Sequence, residues 1–188
     1  MPGKTFTRDW FTKHIPNWMR WLRRFEHQPV HALEIGSYEG RSACWMLDNV
    51  LTHPESRLAC IDPFQAADGR LARFLANTEE YGFRCRLERA PSSLVLRRSG
   101  HPLYSIVYVD GDHRTSMALE DLILVWPLLA TGGVLIIDDC DGRGGRDRRP
   151  LTAANAFMDC YEGQFARLRG GETPGQIALE KVPKEEPA

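Results

Sequence analysis

Neither sign of charge is in excess in this chain. Its 188 residues carry 24 Lys and Arg against 25 Asp and Glu, a formal net charge of −1. That balance gives no electrostatic case for nucleic acid or an anionic membrane surface as partner. Long apolar runs are missing too. The longest are strand-length, far short of the roughly 20 residues that span a bilayer. The opening MPGKTFTRDW lacks the uninterrupted apolar stretch of a secretory signal. Cysteine is scarce: the five, at 44, 60, 85, 140 and 160, are odd in number and show no metal-ligand spacing. They read as reduced thiols, most of them small core hydrophobes, and the expected compartment is the cytoplasm. There is no internal repeat, no long insertion and no lid domain. The length suits one domain with a full core and is too short for two.

What is present alternates. Phe11, Ile15, Trp18, Leu22 and Phe25 step by four and three, one helical face. Pro16 should split that stretch, giving a short helix near 7–14 and a longer one near 16–26. Trp10, Trp18 and Trp21 are expected to cover one edge of the core. Strand patterns follow at 30–36, 57–64, 85–91, 104–110 and 133–139. Helical patterns lie at 41–51, 69–82, 92–98, 116–130 and 151–163. Two last strands, 165–170 and 175–182, are joined by a Gly/Pro turn. This order predicts a mainly parallel sheet with helices on both faces and one antiparallel edge strand. The tail from 184 to 188 reads as disordered. The segments 64–69 and 141–150 follow strands two and five, at the end where open α/β sheets bind ligands.

The first strand runs into LEIGSYEGRS, residues 33–42. Gly36 permits close backbone approach to a ligand, and the helix after Gly40 offers free amides to an anion. A dinucleotide fingerprint needs G-x-G-x-x-G; here Ser37 and Tyr38 stand where the second glycine belongs, which weakens a pyrophosphate reading. A small carboxylate suits the loop better, and Glu34 can meet an amine. Asp62 ends the second strand, placed to accept from both hydroxyls of a ribose. Together these features describe a nucleoside joined to an amino acid, S-adenosylmethionine (SAM).

LEIGSYEGRS, CIDPF, IVYVDGDH, EDLILVWPLLATGGVLIIDD and RRPLTAANAFMDCY, in this order, resemble the class I SAM-dependent methyltransferases. Within that group the chain is most similar to small bacterial relatives of the metal-dependent O-methyltransferases, the macrolide-sugar and catechol types. The resemblance implies a Rossmann-like α/β fold with a seven-stranded sheet, an N-terminal helical cap over 1–28 and a methyltransferase domain over 29–183. It implies that Glu34, Gly36, Ser37 and Gly40 line the methionine part of SAM and that Ser42 reaches its carboxylate. Asp62 would hold the ribose, and Ser92 falls where relatives place a Ser beside the adenine. Pro91 departs from the acidic residue that many relatives carry just before that Ser.

IVYVDGDH raises a separate question, because a core strand finishes there with Asp110, Asp112 and His113. Strand five ends likewise, in Asp138 and Asp139. Neighbouring parallel strands put their C-terminal ends side by side, so Asp110, Asp138 and Asp139 should converge. Three carboxylates in one cleft repel unless a cation neutralises them, and an all-oxygen set suits Mg²⁺. The resemblance agrees, implying a divalent ion on Asp110, Asp138 and Asp139 and a base at His113. Asp110 also stays near SAM, and His113 is expected to titrate close to neutrality. Asp112 should cap the next helix or orient His113. The expected reaction is O-methylation of a small-molecule hydroxyl, by a possible homodimer. A metal-independent N- or O-methyltransferase and a SAM-binding protein without catalysis are the alternatives. The missing third glycine argues against a nicotinamide-dependent oxidoreductase.

Overall fold

A computed structural model describes residues 3–143, 145, 149–170 and 174–184. Residues 185–188 of the tail expected at 184–188, and Arg146 and Arg148 of the 141–150 loop, lie outside the described residues.

Seven strands form one sheet: β1 (His31–Ile35), β2 (Arg57–Ile61), β3 (Cys85–Glu88), β4 (Tyr104–Val109), β5 (Leu129–Ile137), β6 (Phe165–Arg167) and β7 (Ile177–Lys181). Their order is β3-β2-β1-β4-β5-β7-β6. The first five are parallel. The reversed strand β7 pairs antiparallel with β5 on one side and with β6, the edge, on the other. The expected architecture holds, with the reversed strand one place in from the edge.

Among the described residues there are six α-helices, α1 (Ile15–Leu22) ahead of the sheet and α2 (Arg41–Asn49), α3 (Arg70–Thr78), α4 (Ser92–Val95), α5 (Thr115–Val125) and α6 (Pro150–Cys160) between strands. Strand residues alternate between two cores. Ala32, Cys60, Ile106 and Tyr108 face α1–α3, against Trp18, Met46 and Phe74. Leu33, Ile35, Val107 and Val109 face α4–α6, against Val95, Leu122 and Phe157. Each such side chain, fully buried, contributes about 1.5–3 kcal/mol.

Three local expectations need correction. The stretch 7–14 is no helix beyond a single 3-10 turn, Thr12–His14, started by the Asp9 carboxylate on the Thr12 amide at 3.0 Å. Pro16 divides that turn from the longer helix as expected, starting α1 where its missing N–H falls among amides that lack helical partners anyway, although α1 ends at Leu22. The helix expected through 130 ends at Val125; a 3-10 turn at Trp126–Leu128 carries Pro127, and β5 begins at Leu129. Among the tryptophans, Trp18 and Trp21 are buried as expected, but Trp10 is 61% exposed and leans on Tyr38 at 5.1 Å. No helix among the described residues is long and apolar enough to cross a membrane.

The sheet order reverses direction at β1 and β4, and the crevice beyond their C-terminal ends is where such sheets take ligands. Backbone bonds lock those ends together. Gly36 N–H donates to Ile61 O at 2.9 Å, Asp110 N–H to Ile35 O at 2.9 Å, and Asp138 N–H to Val109 O at 3.0 Å.

Candidate active site

The loop after β1 is shaped by close approach. Gly36 has φ +82°, and a Cβ there would lie 1.9 Å from the Asp110 carbonyl oxygen. Gly40, φ +80°, starts α2 with its α-hydrogens against Phe74. Asp62 holds the loop from the side. One carboxylate oxygen accepts from the Ser37 and Tyr38 amides at 3.0 and 3.1 Å, and the other from the Phe64 amide at 2.8 Å.

Glu34 lies beneath this loop and is fully buried. Its carboxylate accepts from the Ser42 hydroxyl and, at 3.5 Å, from the Cys60 thiol. Burial pushes its pKa up. Ser42 therefore points at Glu34 in this structure. The Ser37 hydroxyl is buried and makes no well-formed hydrogen bond, with Glu34 and Cys60 as its nearest polar neighbours. A buried hydroxyl without such a bond is costly, and here it sits in the turn expected to receive the methionine end of SAM. Ser92 stands apart at the start of α4, donating to Asp121 Oδ1 at 2.6 Å. Asp121 is buried, and that burial pushes its pKa up to about 6.

Across the crevice the ends of β4 and β5 meet. His113 Nε2 lies 3.0 Å from Asp139 Oδ2 and 3.6 Å from Asp110 Oδ1. One ligand atom each of Asp110, His113 and Asp139 falls within 4.8 Å of the others. Asp139 reaches this position through a left-handed backbone, φ +54°, unusual outside glycine. Asp138 is not in that group. Its Oδ1 accepts from the Asp139 amide at 2.7 Å, and its Oδ2 from Tyr108 Oη and from Gln176 Nε2 at 2.8 Å. The expected acid trio thus divides: Asp110 and Asp139 converge with His113, and Asp138 stands behind them.

The electrostatics follow from this arrangement. Burial and the neighbouring Asp138 and Asp139 push Asp110 up to about 7, against the pull of His113, although its side chain keeps 34% exposure at the mouth. Hydrogen bonds to Asp110 and Asp139 push His113 up to about 10. The same contact with His113 lowers Asp139. An imidazole titrating near neutrality is therefore not what the bare cluster gives. His113 is an imidazolium here and neutralises the acids itself. Asp112 accepts from the Arg114 amide at 2.9 Å and pairs with its guanidinium, while α5 starts without a side-chain cap bond, so the expected capping role is not met.

Sequence reasoning missed four participants. Tyr108 Oη lies within hydrogen-bond reach of Asp138 and, at 3.0 Å, of Asp110 Oδ2, with one proton to share between them. Its signal was available: two residues before Asp110, it shares a strand face with it. Asp121, in mid-helix, and Gln176 carried no local mark. Trp18 Nε1 donates to Gln176 Oε1 at 2.9 Å and its ring meets Tyr108 edge-on at 4.8 Å, so α1 supports the acids from behind. His14 is buried beside the same acids with Nδ1 unpartnered, and burial lowers its pKa.

The sheet order, the glycine loop capped by Asp62 and the polar ends of β4 and β5 define a class I SAM-dependent methyltransferase. The chain belongs to a methyltransferase-domain family whose model matches residues 33–140, more than half of its length. No curated protein matches it. Solved structures share its fold at low identity. A candidate rRNA methylase from Clostridium thermocellum aligns with TM-score 0.69 and 15% identity, over 90% of this chain and 97% of that one. An O-methyltransferase from Bacillus cereus, in complex with S-adenosylhomocysteine (SAH), gives 0.66 and 14%, over 96% and 84%. The MycE methyltransferase of mycinamycin biosynthesis, with Mg, SAH and mycinamycin VI, gives 0.62 and 19%, over 96% of this chain and 50% of that one.

Proposed function

We propose that this enzyme transfers the methyl group of SAM to a hydroxyl of a small molecule, with a divalent ion such as Mg²⁺ at Asp110 and Asp139 and with His113 as base. The observation that carries the reading is the convergence of Asp110, His113 and Asp139 across the crevice from the Gly36–Gly40 loop. Nothing in binding SAM alone calls for that cluster. The donor set fits a hard cation, since two carboxylates converge and the single imidazolium balances only one of them. MycE, solved in complex with Mg, SAH and mycinamycin VI, supports the same reading. A divalent ion supplies Lewis-acid acidification of the acceptor hydroxyl.

The chain's own residues do the rest. Ser37 and the α2 amides receive the amino-acid end of SAM, Asp62 its ribose, and Ser92 borders the adenine. Glu34 holds Ser42 from beneath the loop. His113 Nε2 takes the acceptor proton as the new O–CH₃ bond forms. The old S–CH₃ bond breaks, and its electron pair stays on sulfur as SAH. His113 serves as base only when other positive charge neutralises Asp110 and Asp139, which is the physical reason for placing imidazole and ion in one cluster. Alignment supplies most of the acceleration.

The test is transfer of labelled methyl from SAM to a panel of sugars, polyketides and catechols, with and without chelator. Activity lost to EDTA and restored by Mg²⁺ is expected. Full activity after exhaustive chelation overturns the metal assignment. It would favour a second reading, which the His113 pairing also supports: a metal-independent methyltransferase whose acids are neutralised by imidazolium.

A further inference from the structure

We propose that a cavity on the sheet face shared with α4, running along β2 from Arg57 to Ile61 beside β3, is a second ligand site for a small organic anion with an apolar body. Its volume is about 410 Å³, within the roughly 300–1,000 Å³ of small-molecule sites.

The cavity has a structural cause. Parallel strands are normally covered on both faces, and the covering on each comes from the crossover helices. Here α3 covers one face of β2 and β3. The other face falls to the connection from β3 to β4, whose helix α4 spans only Ser92–Val95. Four residues make one turn, too little to roof two strands. Ala59 is left half-buried under a hollow whose deeper lining, Ile61, Val95 and Tyr104, is core that is almost closed to solvent.

The rim says what kind of molecule fits. Arg57, Arg86 and Arg98 line it, against Glu88 as the one acid among the lining residues. Glu88 pairs with Arg86 at 2.7 Å and Arg98 at 3.1 Å, so one carboxylate serves two guanidinium groups. Arg57 lies over the Phe83 ring at 4.6 Å, and that ring is 77% exposed, standing beside the opening. Arg86 and Arg98 are themselves 77% and 56% exposed, free to turn toward an anion. An apolar floor under an excess of guanidinium groups matches an aromatic or branched carboxylate, sulfonate or phosphate ester. SAM does not fit this description, because its sulfonium and amine are cationic.

The probe is the dye 8-anilinonaphthalene-1-sulfonate, an aromatic body with one sulfonate, titrated against the full chain by fluorescence. Saturating SAH is present throughout, so the cofactor cleft is filled. A saturable signal under these conditions is expected. Ala59→Trp, which fills the hollow, should weaken it at least tenfold, with SAH affinity unchanged. Arg86→Gln/Arg98→Gln should weaken it about three- to tenfold; it alters exposed side chains only and carries the test if Ala59→Trp does not fold. Uncharged N-phenyl-1-naphthylamine should bind more weakly than the sulfonate and ignore the double substitution. A dye signal abolished by SAH overturns the proposal. So does a titration unmoved in folded Ala59→Trp, or one in which both dyes bind alike. Sedimentation showing a dimer that Ala59→Trp dissociates also overturns it, by making a second copy the occupant.

Discussion

His113 Nε2 and Asp139 Oδ2 stand 3.0 Å apart, one from the loop after β4 and the other just past β5. Register creates this contact, since Val109 pairs with Ile137 and both chains then leave the sheet at the same level. The two partners should respond differently to substitution. Asp139→Asn removes half of the carboxylate pair, so Mn²⁺ affinity, read by electron paramagnetic resonance, should fall about 100-fold or more. His113→Ala removes the base and should cost about 10²–10⁴ in turnover. Neither should change SAH affinity by calorimetry. If His113→Ala retains full turnover, the base is elsewhere.

Gly36→Ala tests the close approach of β1 to β4. The added methyl would collide with the Asp110 carbonyl, and φ of +82° is itself unfavourable for alanine. Overpacking and left-handed strain together predict a loss of about 2–5 kcal/mol in urea melts. A variant as stable as the parent would mean that the loop has another backbone path open to it.

Asp121 gives a pH dependence of known sign. Its folded-state pKa of about 6 lies above the ordinary carboxylate value, so the folded state holds the proton more tightly than the unfolded state does. The cost of ionising it is absent below about pH 4, grows between pH 4 and 6, and is complete above. Asp121→Asn keeps an acceptor for the Ser92 hydroxyl and removes that cost. It should stabilise the protein at pH 8, by up to about 3 kcal/mol, and do almost nothing at pH 4. Equal effects at both pH values would show that the carboxyl is not desolvated.

The strand-and-helix order was legible because apolar periodicity changes cleanly along the chain, and the convergence of strand ends followed from parallel pairing alone. The N-terminal turn was less so. The pattern Phe11, Ile15, Trp18 marks an apolar face but does not say that one 3-10 turn satisfies it. The division of the acid trio was not legible either. Asp138 and Asp139 are adjacent, and which of them faces His113 depends on the left-handed backbone at Asp139 and on Gln176, which arrives from a distant loop. Charge neighbours across space also moved His113 far from its ordinary range, and no local motif encodes that.

Tyr108→Phe separates support from ligation. The Tyr108 hydroxyl is buried, and burial raises its pKa, so it stays protonated, with one proton shared between Asp110 and Asp138. Phenylalanine fills the same space and still meets Trp18, so the core should hold. The two carboxylates lose the one donor they share, however. Asp110 becomes harder to keep ionised, and its oxygens are freer to turn. Groups that orient ligands in this way are worth about 10–100-fold in metal affinity. Mn²⁺ binding should therefore weaken within that range, with an unchanged melting temperature and unchanged SAH affinity. Asp138→Asn keeps an acceptor for Tyr108 and should weaken Mn²⁺ less than Asp139→Asn does. If the order is reversed, Asp138 is the direct ligand and Asp139 the supporting one.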